Sequence, residues 1–598
     1  MRQNYVLDYH FDHSPEVMWP LMIDSPRSNE ATGFPRHQVT QTPRPDGSVE
    51  RIARGKFGPF QSEWEEFPWE WVAQHKMRNI RRFRKGVFDN ITASFELTPE
   101  GNGCHVHAEL SMESSNLFGT LFLLFGGGAK IAHKVETYIT ANTAFMLDNG
   151  PLPAALAGDK ISAAMRARLT QLVVEIEGGP YGHNLARLLA EFIATGGDVD
   201  MNRIRPLELA QRWDAEPRKT IELCLEAVRV GILGMRWDLI CPRCRGGEGA
   251  IPDLASLPDG IHCPSCNIDY QRDFSANVEL SFHPAPAIRP INPDENFCLM
   301  SPAHTPHVML QKILEPGESA ELDIDIAPGA YDIRTLEPGG MVEVDYEGGG
   351  FPEVISGDDE MRAGDRAAPG KAKLRNESKK RLTLLIERRD WLNNIVTADK
   401  VTALQAFRDL CGNQVLRAGD DAAIGHIALM FSDLRSSTAL YNRIGDGPAY
   451  HLVREHFSFL ADEVREHNGA IIKTIGDAVM AAFGEPADAV RAMLSIQNHI
   501  AAFNASQEEG ELVIKLGAHA GRTIAVNLNG RLDYFGATVN LAARLQQLSE
   551  GGDVVLSESL AGDPAVGTLL AGMQFEVGAA HLKGFDKPVA YTRLRSVA

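Results

Sequence analysis

The sequence has no apolar run long enough to cross a bilayer. The longest, Leu117 to Phe125, has nine residues and is interrupted by Gly119 and Thr120, against the roughly 20 that a spanning helix needs. The first residues lack the uninterrupted apolar stretch of a secretory signal, so a cytoplasmic protein is expected. Positive charge is in deficit: 59 Lys and Arg against 79 Asp and Glu leave a formal charge of −20, which disfavours an extended nucleic-acid-binding surface. Cysteine is scarce, eight in 598 residues. Half of these fall in two Cys-x-x-Cys pairs, which suits a metal site in a reducing compartment better than a disulfide framework. There is no obvious internal repeat. What is present, 44% hydrophobic and 23% charged residues, is ordinary for a folded protein, and the length suits about four units rather than one core.

Residues 1–150 open with a strand-like segment, Tyr5 to Phe11, then Ser14-Pro15-Glu16, which reads as N-cap, first helical position and acidic first turn. The β-rich stretches FQSEWEEFPWEWVAQ, FDNITASFELTP and CHVHAELSM follow, and then a helical segment from about Gly119 to Leu147. This order, with its SPEVMW start, resembles the helix-grip domains of the START and polyketide-cyclase families. The resemblance implies either an enclosed apolar small ligand or a packed domain without one.

Residues 151–275 turn helical. RPLELAQRWDAEPRKTIELCLEAVRVGIL holds two short amphipathic segments around Asp214 to Pro217, as in a winged-helix unit. Residues 201–240 carry seven Arg and Lys against six Asp and Glu, too little excess for DNA binding. Cys241-Pro-Arg-Cys244 and Cys263-Pro-Ser-Cys266, 18 residues apart, have the spacing of a four-thiolate zinc-ribbon site. Four thiolates leave no open coordination position, so one structural Zn²⁺ is expected. Residues 276–395 read as short strands punctuated by Gly and Pro, a small β-sandwich, with a long loop from Gly348 to Lys373. Cys298, His304 and His307 are too irregularly spaced for a metal site. Residues 396–420 form a linker in which a helix from Ala398 to Cys411 carries Val401, Leu404, Phe407 and Cys411 at helical spacing.

Residues 421–598 hold the chemistry. In IALMFSDLRSST a buried strand ends at Asp433 and a helix begins through Ser436, Ser437 and Thr438. A carboxylate there can hold a cation while helix N-terminal amides hold phosphate oxygens. A second carboxylate, Asp477, sits in IIKTIGDAVMAAF, where Gly476-Asp477 reads as a hairpin turn. Oxygen ligands of this kind suit Mg²⁺ or Mn²⁺. No histidine offers itself as a general base: His426 and His519 read as packing or surface residues.

FSDLRSST, GAIIKTIGDAVMAAF, LGAHAG, DYFGATVNLAARL and LKGFDKP resemble, motif for motif, the class III adenylate and guanylate cyclases, from about Gly425 to the end. The resemblance implies a ferredoxin-like α+β domain that dimerises head to tail, with active sites shared between two chains. It implies two Mg²⁺ or Mn²⁺ per site on Asp433 and Asp477, and base selection by Lys473 and Asp533. It also implies ribose and transition-state contacts from Asn540 and Arg544, and triphosphate binding by Lys583. A Lys donor beside an Asp acceptor complements adenine, whose N1 accepts and whose N6 donates, so ATP is the expected substrate. Asn540 and Arg544, four apart, share one helix face, with Leu541, Leu545 and Leu548 expected as the adjoining core stripe. Two other readings stay open: a guanylate cyclase, and a sensor whose cyclase-like end serves only to dimerise. The whole is thus expected to be a multidomain α+β chain.

Overall fold

The computed structural model describes residues 1–45, 47–148, 150, 158–243, 245–264, 266, 268–292, 298, 301–358, 360–389, 395–507 and 510–595. Strands Arg2–Phe11, Gly103–Ser114, Phe88–Glu100 and Lys76–Lys85 lie side by side and antiparallel, and His37–Pro43, Val49–Phe57 and Phe60–Glu66 join through Lys76–Lys85. Buried and exposed residues alternate along Lys76–Lys85, the pattern of a sheet with one covered face. Helix Pro15–Met22, with Ser14 as N-cap and Pro15 in its first turn, places Met18 and Trp19 in a core with Phe95, Leu97 and Val106. The helix expected from 119 to 147 is two, Leu117–Leu124 and Gly127–Leu147. Its break falls at the Gly126-Gly127-Gly128 run, where helix propensity is poorest. Among the described residues no helix is long and apolar enough to cross a membrane.

This sheet does not end at the first domain. Strand Glu70–Val72 pairs with Val308–Leu314, Trp71 opposite Gln311 and Val72 opposite Leu310, and the sheet runs on through Leu382–Arg388, Gly329–Thr335 and Met341–Tyr346 to twelve strands. The Trp71 indole donates to the Val308 carbonyl at 2.9 Å, and the Gln311 amide donates to the Trp69 carbonyl at 2.6 Å. A four-stranded sheet, Ser319–Asp323, Lys371–Asn376, Gly350–Ser356 and Met361–Pro369, shares a core of Tyr331, Phe351, Leu374, Leu384 and Ile386 with it. The long loop expected from Gly348 to Lys373 is therefore mostly strand. Phe351 and Val354 point into the core, while Met361–Pro369 is an edge strand whose exposed charges imitate a loop in sequence.

The boundary expected at 275 falls inside another sheet. Val278–Pro284 pairs along its whole length with Leu233–Ile240, which also carries Gly247–Ile251. Helices Pro206–Trp213 and Pro217–Arg229 meet at Asp214, φ 49°. The helix expected from Ala398 to Cys411 is broken into Ala398–Thr402 and Gln405–Leu410. Leu404 is extended, and the Arg408 guanidinium takes up the freed Thr402 carbonyl at 3.1 Å.

In the C-terminal domain we number the strands β1 (Asp421–Leu434), β2 (Gly469–Ile475), β3 (Ala478–Phe483), β4 (Ile514–Leu528), β5 (Arg531–Phe535), β6 (Asp553–Ser557), β7 (Phe575–Ala580) and β8 (Val589–Arg595). The helices used below are α1 (Ser437–Ile444), α2 (Asp446–Glu466), α3 (Pro486–Ala505) and α4 (Ala537–Leu548). The sheet order is β2-β3-β1-β4-β6-β8-β7, with β5 folded back on β4. Alternate β1 residues serve two cores. Ala428 and Met430 pack with α2 and α3, whereas Leu429 and Phe431 share a cluster with Ala542 of α4 and the linker's Phe407.

Candidate active site

β1 and β4 form the spine of the domain, and Asp433 ends up opposite Lys515. The last β1–β3 pair is Ser432 with Val479, so one step further Asp433 comes level with Ala478, next to the two-residue turn Gly476-Asp477. Gly476 has φ 66°, the left-handed conformation that this turn requires. Burial, and then the charge of Asp477, push the Asp433 carboxyl up, outweighing the Leu434 amide and Lys515. One Asp477 carboxylate oxygen is buried without a hydrogen-bond partner. The buried Tyr441 hydroxyl of α1 lies beside Asp477 but makes no hydrogen bond of standard geometry. Burial and Asp477 raise it to about 12. Two mutually repelling carboxylates, one with an orphaned oxygen, fit a hard divalent cation of the Mg²⁺ or Mn²⁺ type.

A cleft of about 440 Å³ opens beside Asp433, lined also by Arg435, Ser436, Lys515, Ser549 and Glu550. Ser436 adopts a left-handed φ of 57° just before α1, a conformation that non-glycine residues keep only under constraint. Ser437 and Thr438 occupy the first turn of α1. Arg435 and Lys515 bring positive charge to the cleft, opposite Asp433 and Glu550. Neither was a sequence candidate, and Lys515 becomes legible only through strand pairing.

Lys473 of β2 and Asp533 of β5, 60 residues apart, meet at 2.6 Å. Lys473 is one-third exposed and Asp533 nearly buried. The other Asp533 oxygen accepts the Tyr534 amide at 2.7 Å. Asn540 and Arg544 ride on α4, where Arg544 donates to Gln547 at 3.0 Å. The buried stripe of α4 is Thr538, Ala542, Leu545 and Gln546. Leu541 and Leu548 are only half-buried; helix and strand come closest at Leu545 and Gln546. Gly517 of β4 allows that approach: a Cβ there would lie 2.6 Å from the Leu545 carbonyl carbon and closer still to the Gln546 backbone. Lys583 is exposed and, among the described residues, makes no ion pair with the other candidates. His519 donates to or accepts from Ser557 at 2.8 Å, and burial lowers it to about 4.

Away from this site, the sulfurs of Cys241, Cys263 and Cys266 lie within 4.8 Å of one another, all buried. Cys244 lies outside the described residues. Arg334 of the sandwich donates to the Arg243 carbonyl beside them at 2.7 Å. A groove of about 500 Å³ crosses from the N-terminal sheet to the sandwich. Lys76, Arg78, Glu96, His107 and Glu109 give it a charged lining unlike a chamber for an apolar ligand.

Paired carboxylates at a strand end, and a donor–acceptor pair brought together from two strands that do not pair with each other, equip a domain to handle nucleotides and their metal ions. Residues 420–592 match the adenylate and guanylate cyclase catalytic domain, and this part of the chain belongs to that family. Residues 181–305 match a family of unknown function. An uncharacterized protein of Mycobacterium tuberculosis is 35% identical over 175 residues, covering 29% of this chain and 42% of the relative. The adenylate cyclase of Mycosarcoma maydis is 29% identical over 157 residues, 23% of this chain and 6% of that protein. The chain thus spans less than half the length of these relatives. Among solved structures, the adenylyl cyclase CyaB from P. aeruginosa is 23% identical, covers 30% of this chain and 96% of its own, and has a TM-score of 0.26. The guanylyl cyclase Cya2 is 22% identical over 30% of this chain and 93% of its own, with a TM-score of 0.26.

Proposed function

We propose that the chain is an adenylate cyclase: it converts ATP to 3′,5′-cyclic AMP and pyrophosphate at sites shared by two copies. The observation that carries this reading is the 2.6 Å Lys473–Asp533 pair, which offers a donor and an acceptor side by side. Adenine answers with an N1 acceptor and an N6 donor; guanine presents the opposite order. The Tyr534 amide holds the Asp533 carboxylate in place from its other side.

Asp433 and Asp477 would hold the divalent cations. When bound, these ions make the ribose 3′-hydroxyl more acidic and neutralise the phosphates. The chain's own groups do the rest. Asn540 orients the ribose so that its 3′-oxygen lines up with the α-phosphorus. Arg544, braced by Gln547, neutralises charge that grows on the phosphoryl oxygens as the pyrophosphate bond breaks, a contribution of roughly 3–4 kcal/mol if it acts like other preorganised donors. Lys583 and the α1 N-terminus with Ser436, Ser437 and Thr438 receive the triphosphate. Ile475 and Phe535, 52% and 63% exposed, flank the Lys–Asp pair, and a second copy would cover them while completing the site. The Cys241, Cys244, Cys263 and Cys266 set would hold one structural Zn²⁺.

Purified full-length protein incubated with Mn²⁺ and either ATP or GTP tests the reading. Cyclic AMP from ATP, with little cyclic GMP from GTP, is expected. Cyclic GMP as the main product, or no cyclic product from folded protein, overturns it.

A further inference from the structure

The linker helix Gln405–Leu410 touches both strands that carry the base-selecting pair. The Gln405 side-chain oxygen accepts the Ile471 amide at 2.8 Å, two residues before Lys473. Its nitrogen donates to Asp409 at 2.7 Å, which orients the amide. The β2–β3 ladder shifts register between Ile471 and Lys473, so Gln405 takes up a backbone donor at a bulge. Bulges re-aim the side chains that follow them, and here the side chain that follows is Lys473. On the other strand, Arg408 donates to the Leu532 carbonyl at 2.9 Å, and its guanidinium sits 5.7 Å from the Tyr534 ring centre. Leu532 and Tyr534 flank Asp533. One turn of helix thus grips the residues next to both members of the pair.

The same helix and the start of β2 also meet the central module. Phe407 packs edge-on against Trp237, ring centres 6.2 Å apart. Tyr181 donates to Asp409 at 2.9 Å, and Arg218 donates to Asn468 at the start of β2 at 2.8 Å. The β2 bulge and β5 are therefore held from outside the catalytic domain.

We propose that Gln405 and Arg408 are positioning residues for purine recognition. By fixing the β2 bulge and β5, they bring Lys473 and Asp533 together, and they make base preference depend on how the central module seats the linker. This rests on the adenylate cyclase reading.

The test uses full-length Arg408→Ala, Gln405→Ala and Arg408→Lys, with kcat and KM measured for ATP and GTP. Arg408→Ala should lower kcat/KM for ATP by about tenfold or more, chiefly through KM, while GTP changes less, so the ATP-to-GTP ratio falls. Arg408→Lys, which keeps a cation near Tyr534, should recover part of that ratio. An unchanged ratio in variants that melt like the wild type overturns the proposal. If Arg408→Ala fails to fold, Gln405→Ala reads the same ratio after loss of a single acceptor. Binding of 3′-deoxy-ATP against 3′-deoxy-GTP, which lack the attacking oxygen, separates the two ideas. Absence of cyclic product from the wild type defeats the cyclase reading, whereas an identical binding preference in wild type and variants defeats the positioning role.

Discussion

Replacing Gly517 by alanine tests how the transition-state groups are aimed. The added Cβ would lie 2.6 Å from the Leu545 carbonyl carbon and nearer still to Gln546 N and Cα. All three are backbone atoms of α4, so no side chain can swing aside. Carbon contacts relax at about 3.5–4.0 Å, so clearing the Gln546 backbone, the nearest of the three, requires α4 to retreat from β4 by roughly 1.5 Å. Overpacking of this kind costs about 1–3 kcal/mol. Asn540 and Arg544 move with the helix, and a displacement of about 1 Å from reacting geometry can cost about 100-fold in rate. Gly517→Ala should therefore lose on the order of 100-fold in cyclic nucleotide formation while melting only a few degrees lower. Gly521→Ala is the matched control: its Cβ first meets the Thr538 hydroxyl at 3.0 Å, a side-chain atom, and the effect should be milder. Scanning fluorimetry and a product assay read both variants. Wild-type turnover and melting in Gly517→Ala would show that α4 is not pressed against β4, and the account of Asn540 and Arg544 would fall with it.

Three other outcomes can be checked. Asp433→Ala should abolish turnover without loss of melting temperature, because its removal relieves repulsion with Asp477, and mixing it with inactive Arg544→Ala should restore some product. No recovery despite proven subunit exchange would count against a shared site. Metal analysis of purified protein should find close to one Zn²⁺ per chain, and Cys263→Ser should lose it and melt lower; full zinc retention in that variant would argue against thiolate ligation at Cys263. Burial alone would raise Glu387, but His307 and Arg334 hold it near 2. A lowered carboxylate stabilises the fold above its unfolded pKa, and this stability, roughly 3 kcal/mol, disappears as pH falls from about 5 towards 2. Glu387→Gln should melt lower near neutrality and lose much of the acid-dependent drop over that range; a drop as steep as in the wild type would refute the assignment.

Local features were the legible ones. The Gly476-Asp477 turn, the strand end at Asp433, and the α4 face bearing Asn540 and Arg544 each lie within a few consecutive residues, where turn chemistry and helical period are informative. The meeting of Lys473 with Asp533 came only by resemblance, because nothing local reveals a contact 60 residues away. Lys515 and Tyr441 escaped for the same reason: one reaches Asp433 through strand register and the other reaches Asp477 from a helix. Sequence misled in two places, for different reasons. The charges of Met361–Pro369 suggested a loop because an edge strand has little to bury, and the even spacing of Val401, Leu404 and Phe407 hid the extended Leu404 and the buried Thr402 carbonyl that Arg408 takes up.

The pairing of Trp71 with Gln311 has a practical corollary for anyone dissecting the chain. A fragment ending near 150 would strip Glu70–Val72 of its neighbour, leaving the Trp71 indole without the Val308 carbonyl and an open ribbon edge able to recruit other chains. Such a piece would tend to clump, and an empty cavity in it would say little about the intact molecule. Cuts that keep residues 1–389 together spare the twelve-stranded sheet but still sever the Tyr181–Asp409 and Arg218–Asn468 contacts; cuts by apparent module break the sheet itself.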